Sequence, residues 1–310
     1  MDLDNLWSYL KIHGDRGWET FPSFFNFIIP AVLAVLSDLD LKITFFVVGR
    51  DASLEKNHES LRALIDAGHE LGNHSFHHEP RFLFCSRGEI EREVLETEER
   101  ILSLGSEKPL GFRGPGYAWN RDLIEVLLKN NYLYDATTFP THIGPLARAY
   151  YFRTSKLTER QRWERRQLFG GFRQGWMPCK AYCWQVESGS KLIEIPVTTV
   201  PIIKTPFHLS YLIYLNRFSV ALSAMYLKIA LSLCRLMEVE PSFLLHPLDF
   251  TDKKRVPDLA FFPGMLVDFS RKMELFHRVI RILSQNYRLV NMSTYANAFI
   301  QSGKVKTRPI

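Results

Sequence analysis

The sequence predicts an α/β protein built on a barrel, or near-barrel, of mostly parallel strands. Short apolar, β-prone runs alternate with helical stretches in three places: 43–48 before 54–67, 111–113 before 121–128, and 243–246 before 266–283. Strands separated by helices pair mostly in parallel. In such folds the functional side chains gather on the loops at the carboxyl ends of the strands.

The composition is that of a soluble globular protein. Of 310 residues, 46% are hydrophobic and 23% are charged, which excludes a disordered chain. No cationic and apolar leader opens the sequence, so we expect a cytoplasmic location. Cysteines 85, 179, 183 and 234 show neither CxxC spacing nor the density of a disulfide scaffold, and we expect free thiols.

Two stretches interrupt the alternation and are predicted to be insertions in a single domain that covers 1–310. The first is 141–190, which is aromatic and basic, and the second is 206–238, which is apolar. The uncharged runs of the second, such as 218–227, are shorter than the roughly 20 residues of a spanning helix. We expect 206–238 to form core or a covering helix pair, or else a lid that faces a membrane.

The net charge of +6 is concentrated in the first insertion and favours anionic partners. Between 145 and 180, aromatic side chains lie among arginines and lysines; they are Tyr150, Tyr151, Phe152, Trp163, Phe169, Phe172 and Trp176. This mixture suits peripheral contact with an anionic membrane or a phosphorylated, lipid-linked sugar. Aromatics that pack on the barrel are the alternative. No nucleic-acid-binding motif is present in the sequence, and no nucleic-acid partner is expected.

Residue types suited to metal chemistry occur at two places. Asp2 and Asp4 face the same way if they end a strand, although an isolated Asp-x-Asp is also common at helix caps and solvated termini. His74 and His78 converge if their segment makes a helical turn, although this spacing also arises by chance or in a core. Two imidazoles and one carboxylate leave coordination positions open, as a catalytic metal requires.

Four ordered strings resemble the polysaccharide deacetylase family, also called the NodB-homology or carbohydrate esterase 4 group. They are TFFVVG at 44–49, GHELGNHS at 68–75 with His78, RGPGY at 113–117 and LLHP at 244–247. With Asp2 and Asp4, the similarity runs from the first residues to His246. It implies a distorted (β/α) barrel of about seven strands with its pocket at the strand ends.

The resemblance implies a role for each matching residue. Asp4, His74 and His78 would hold a divalent metal, Zn²⁺ first and Co²⁺, Ni²⁺ or Fe²⁺ as alternatives. Asp2 would be the general base and His246 the general acid.

Three further roles follow for the string at 113–117 and the residue beyond it. Arg113 would hold Asp2 ionised and oriented, because a guanidinium binds a carboxylate as a planar fork. A backbone N–H of the turn around Gly116 would reach the oxyanion. Tyr117 and Trp119 would line the sugar site, with packing as the alternative for both aromatics.

The expected activity is hydrolysis of an N-acetyl group from an amino sugar in a polysaccharide or glycan precursor. One alternative is removal of a formyl group from a lipid-linked amino sugar at a membrane surface, and another is a barrel that binds glycan without catalysis. Only Met1 precedes Asp2, so we expect a frayed first strand that lacks upstream apolar residues. The aspartate that tunes His246 is either Asp135 or Asp249.

Overall fold

The computed structural model describes residues 1–79, 81–166, 171–186, 189–303 and 305–310. Its strands are β1 Asp2–Leu3, β2 Thr44–Val47, β3 Glu70–Asn73, β4 Gly111–Phe112, β5 Tyr134–Asp135, β6 Tyr182–Gln185, β7 Lys191–Glu194 and β8 Thr307–Pro309. Its helices are α1 Leu6–His13, α2 Phe25–Asp38, α3 Gly49–Ala52, α4 Glu55–Asp66, α5 Arg87–Ser103, α6 Arg121–Lys129, α7 Gly144–Thr154, α8 Glu159–Glu164, α9 Leu209–Asn216, α10 Val220–Leu236, α11 Phe269–Ser284 and α12 Met292–Gln301.

The strands form one sheet in the order β1-β2-β3-β4-β5-β7-β6-β8. All neighbours pair in parallel except β6 and β7. The α/β class with a mostly parallel sheet is therefore confirmed. Every residue of β2 is buried, as expected for a parallel strand that is covered on both faces. Gly72 of β3 is required because a Cβ there would lie 2.6 Å from the Phe46 ring.

Residues 242–246 lie between β1 and the segment that follows β7. Single hydrogen bonds, rather than a ladder, join them to each side. The Thr198 N–H donates to the Ser242 carbonyl at 3.2 Å, and the Asp2 N–H donates to the Leu245 carbonyl at 3.1 Å. The predicted strand at 243–246 is therefore wrong as a strand, since too few bonds form for regular pairing. Its position beside β1 still produces the distorted barrel.

The first strand is held from both sides, so the expectation of a frayed strand is wrong. The Phe46 N–H donates to the Met1 carbonyl at 2.9 Å, and Asp2 lies opposite Phe46 in the parallel register. Leu3 is completely buried. These contacts give Asp2 and Asp4 a fixed place at the carboxyl end of β1.

The first insertion packs against the barrel through its own polar anchors. Arg165, which is buried, donates from Nη1 to the Ile12 carbonyl at 2.6 Å. Lys156 Nζ lies 2.5 Å from Asp15, and Trp163 and Trp176 remain exposed. Phe169 lies outside the described residues.

The second insertion forms the pair α9 and α10, which pack on each other and on α11. Among the described residues no helix is long and apolar enough to cross a membrane. The four cysteines are free, and three of them are buried. The organisation of 1–310 as a single domain stays a prediction.

Candidate metal centre and active site

Asp4, His74 and His78 converge on one point at the carboxyl ends of β1 and β3. Asp4 Oδ1 lies 3.0 Å from His78 Nε2 and 3.7 Å from His74 Nε2. The three candidate ligand atoms lie within 4.8 Å of one another, and all three residues are buried. The structure therefore brings together the trio that the sequence predicts, in a geometry that a single cation can bridge.

The convergence of the two histidines does not come from a helical turn, and that expectation is wrong. The His74 N–H still donates to the Val47 carbonyl at 3.0 Å, so His74 continues the line of β3. The chain then reverses through Ser75 and His78, whose φ angles are 60° and 48°. These left-handed residues bend the loop sharply enough to return His78 to the end of the strand.

Glu93, on α5, fixes this loop from behind. Its Oε2 accepts the Phe76 N–H at 2.8 Å and the His77 N–H at 2.9 Å, and its Oε1 lies 2.6 Å from His77 Nδ1. A capping box of Ser86 and Glu89 fixes where α5 begins. Burial by itself would raise the pKa of Glu93, but the His77 contacts outweigh it and lower that pKa.

Replacing Glu93 by alanine is expected to lower the free energy of unfolding by about 2–4 kcal/mol, because two loop N–H groups lose their acceptor. A folded-state pKa below that of the unfolded chain means that the stabilisation is complete above the ordinary glutamate value of about 4.3 and is lost as pH falls below it. Urea unfolding of wild type and Glu93→Ala at several pH values measures both effects.

Glu96→Ala, on the exposed face of the same helix, is the matched control and is expected to change stability little. Equal effects of the two substitutions, or a difference from wild type that does not shrink at acid pH, would contradict the role of Glu93.

The protonation pattern of the trio suits a divalent metal. His74 Nδ1 lies 2.6 Å from the Arg113 carbonyl, so Nδ1–H donates there and the Nε2 lone pair faces Asp4. Burial lowers the pKa of His74, which favours the neutral imidazole that binds metals. Burial alone would raise the pKa of Asp4, but His78 and His74 lower it well below its usual range.

The unsatisfied carboxylate oxygen of the trio also favours a bound cation. Asp4 Oδ1 is buried and forms no hydrogen bond with any described residue, although His78 Nε2 is 3.0 Å away. A buried carboxylate oxygen without a donor is costly unless a cation neutralises it. Two nitrogens and one oxygen are donors that catalytic Zn²⁺ accepts, with a position left for water.

Asp2 and Arg113 make the predicted ion pair beside the trio. Arg113 Nε lies 3.3 Å from Asp2 Oδ1, and both side chains are almost fully buried. The guanidinium also lies over the Phe46 ring, 4.7 Å from its centroid. Asp2 Oδ1, Arg113 Nε and Arg113 Nη1 form no hydrogen bond with a described residue, so the expected planar fork is not formed and the pair is held by charge. The role of Asp2 as a base stays a prediction.

His246 lies on the other side of β1, and Asp249 rather than Asp135 contacts it. The His246 N–H donates to Asp249 Oδ2 at 2.9 Å. The Ser210 hydroxyl donates to Asp249 Oδ1 at 2.8 Å and lies 3.3 Å from His246 Nδ1. Asp135 instead bonds Thr137 and lies beside Glu194, where burial raises its pKa well above the usual range.

The turn after Arg113 offers one backbone donor for an oxyanion. The Tyr117 N–H donates to the Gly114 carbonyl at 3.1 Å. The Gly116 N–H has no backbone acceptor among the described residues of the turn, so it is the donor that an oxyanion could use. Gly116 and Tyr117 both have left-handed φ angles, 59° and 62°. The Tyr117 ring lies 4.7 Å from that of Phe139.

Trp119 does not join this group. Its ring packs on that of Trp184 at a centroid distance of 4.5 Å, in a separate hydrophobic cluster. The packing alternative therefore accounts for its contacts, and its place in a sugar site stays a prediction.

Sequence reasoning missed His208 and Tyr9. The His208 ring lies 5.9 Å from that of His246 and 4.9 Å from that of Tyr211, and burial lowers its pKa well below the usual range. His208 Nδ1 and the Tyr9 hydroxyl are buried without a partner among the described residues. Neither residue stands in a recognisable string: Tyr9 lies on α1 and His208 immediately precedes α9, so both reach this group only through tertiary packing.

Comparison with known sequences places the similarity in the first half of the chain. Residues 15–134 match a family profile described as "Polysaccharide deacetylase". This segment contains His74, His78 and Arg113 but not Asp2, Asp4 or His246.

Two curated relatives are similar over part of their length. A peptidoglycan deacetylase of Helicobacter pylori is 30% identical over 125 residues, which are 40% of this chain and 40% of that protein. A chitooligosaccharide deacetylase of Sinorhizobium fredii is 33% identical over 96 residues, which are 31% of this chain and 43% of that protein. The chain thus spans about two fifths of the length of these relatives.

Among solved structures, a chain from Mycobacterium smegmatis assigned to the polysaccharide deacetylases is similar over the whole chain. The match has a TM-score of 0.64 and covers 100% of this chain and 91% of that one, at 18% sequence identity. At this identity the similarity supports the fold and leaves the activity to be argued from the site.

Proposed function

We propose that this chain, which belongs to the polysaccharide deacetylase family, is a metal-dependent hydrolase that removes an N-acetyl group from an amino sugar in a polysaccharide or glycan precursor. The bond cleaved is a carbon–nitrogen bond other than a peptide bond. The named activities of the two partial relatives support an amino-sugar glycan as the substrate class.

One observation carries the proposal: a buried trio of one carboxylate and two imidazoles lies beside a buried carboxylate that an arginine orients. Asp4, His74 and His78 would hold the cation, most simply Zn²⁺ with Co²⁺, Ni²⁺ or Fe²⁺ as alternatives. When bound, the cation supplies Lewis acidity, which polarises the amide carbonyl and acidifies water.

The chain's own residues would move the protons. Asp2, held by Arg113, accepts the proton of the attacking water. His246 donates a proton to the amide nitrogen as the carbon–nitrogen bond breaks, because an amine leaves poorly unless it is protonated. The hydrogen bond from the Asp2 N–H to the Leu245 carbonyl, 3.1 Å long, keeps these two candidates on adjacent stretches of backbone.

Mass spectrometry of products tests the substrate class. The purified full chain is incubated with N-acetylated oligosaccharides of glucosamine, with peptidoglycan fragments and with N-formyl amino sugars. We expect free amines from N-acetyl substrates, loss of activity on chelation, and recovery with Zn²⁺ or Co²⁺. Turnover that is unaffected by complete metal removal would contradict the mechanism, and turnover of only the N-formyl compounds would contradict the proposed substrate.

A further inference from the structure

Helix α10 presents an apolar face that nothing in the described chain covers. Exposed just before the helix is Phe218 (69%), and exposed along it are Met225 (54%), Ile229 (50%) and Leu236 (75%). Spacings of four and seven residues place the last three on one side of the helix. The opposite side is buried through Leu227, Ala230, Leu231 and Cys234. The helix therefore has two apolar sides, and packing explains only one.

Two further apolar side chains are exposed on turns that hydrogen bonds link to each other and to α10. Ile202 is 69% exposed and has a left-handed φ of 73°, which is strained for a β-branched residue. Trp176 is 75% exposed. Lys204 Nζ donates to the Met177 carbonyl at 2.8 Å, and the Tyr226 hydroxyl donates to the Pro206 carbonyl at 2.8 Å. These bonds place the two turns and α10 side by side.

We define the apolar face as Trp176, Ile202, Phe218, Met225, Ile229 and Leu236. Contiguous exposed apolar surface on a folded protein is typical of an interaction site.

The charges of this surface are mainly cationic. Between 195 and 237 the sequence contains no aspartate or glutamate, whereas it contains Lys204, Arg217, Lys228 and Arg235. Lys228 and Arg235 are exposed and form no ion pair with any described residue. Glu238 and Glu240 are exposed beyond the end of α10, and Glu238 lies 3.5 Å from Lys180. The cations of α10 itself are thus complementary to an anionic partner.

We propose that the apolar face docks on a membrane surface that contains anionic lipid. Apolar side chains on one helical face, flanked by cations, with a tryptophan beside them, are the composition of a helix that lies in the membrane interface. A second copy of the chain fits less well. A two-fold contact through this face would bring Lys228 and Arg235 towards their own copies, and the neighbouring Glu238 already lies 3.5 Å from Lys180.

The docking face adjoins the candidate active site through α9. Ser210 of α9 contacts both His246 and Asp249, and α9 packs on α10. The helix that carries the docking face is therefore separated from the candidate active site by α9 alone. The docking itself is independent of the proposed chemistry, and its test measures binding alone.

Flotation of the full chain with large unilamellar vesicles tests the proposal. We expect binding to vesicles of phosphatidylcholine with phosphatidylglycerol, weaker binding to phosphatidylcholine alone, and weakening with added salt. The variant Phe218→Ser/Met225→Ser/Ile229→Ser is expected to bind these vesicles at least about a hundredfold more weakly than wild type, because it removes three apolar side chains from the face. Lys228→Ser/Arg235→Ser is expected to lose about fivefold per cation.

The matched control is Leu102→Ser/Ile300→Ser, which removes exposed apolar side chains elsewhere and is expected to bind like wild type. The charge variant keeps the test valid if the triple variant folds poorly. Absence of vesicle binding by wild type would overturn the proposal, as would equal losses in the control. So would a wild-type dimer, seen by sedimentation, that the triple variant dissociates while neither protein binds vesicles.

Discussion

His78→Ala is expected to abolish tight metal binding and to lower kcat/KM on an N-acetylated amino sugar by on the order of 10³-fold or more. Lewis-acid stabilisation contributes several kcal/mol to such a reaction. His78 faces Asp4 at 3.0 Å, and only two protein ligands remain without it. Elemental analysis after dialysis measures the loss of bound metal, and steady-state kinetics measure the fall in kcat/KM.

His58→Ala is the matched control, since His58 Nε2 lies 3.0 Å from the Ala52 carbonyl on a different element. It is expected to retain both metal and activity. If His78→Ala kept its metal and turned over normally, the assignment of the trio would be wrong.

Asp2→Asn is expected to lower kcat by about 10²- to 10⁴-fold, because an amide cannot accept the proton of the attacking water. Bound metal should remain, which separates this variant from His78→Ala. The substitution also removes the counter-charge of a buried guanidinium, and we expect a loss of about 3 kcal/mol in the free energy of unfolding. Kinetics on the folded fraction and urea unfolding measure these effects.

Arg113→Lys tests whether Arg113 positions Asp2. A lysine keeps the charge but not the planar guanidinium that lies over the Phe46 ring beside Asp2, so we expect a smaller fall in kcat than for Asp2→Asn. An Asp2→Asn variant with wild-type kcat, or an Arg113→Lys variant that is more impaired, would contradict the assigned roles.

The sequence predicted the α/β class and the metal trio because both depend on local strings. An apolar run such as 44–47 that is followed by a helical stretch is typical of a buried parallel strand. His74 and His78 stand in one short segment, so no long-range contact had to be inferred. Asp4 was assigned to the trio from the family resemblance, and the structure brings it close to His74 because β1 and β3 are both neighbours of β2.

Features that depend on tertiary contacts could not be predicted from the sequence. The left-handed residues Ser75 and His78 replace the expected helical turn, since Glu93 holds the loop from another helix. β1 is short but ordered because Leu245 bonds it from the far side. His208 lies beside His246 because the helix that it precedes, α9, packs on residues 247–250, and no spacing in the sequence encodes that distance.

Metal titration of the stripped full chain tests the central claim most directly. Zn²⁺ is added stepwise while bound metal and released product are followed in the same samples. The proposed site predicts that activity rises with the first equivalent bound and saturates with it, and that Asp4→Asn shifts both curves together to higher metal concentrations. Full activity before any metal is bound, or binding and activity curves that do not coincide, would contradict a catalytic metal held by Asp4, His74 and His78.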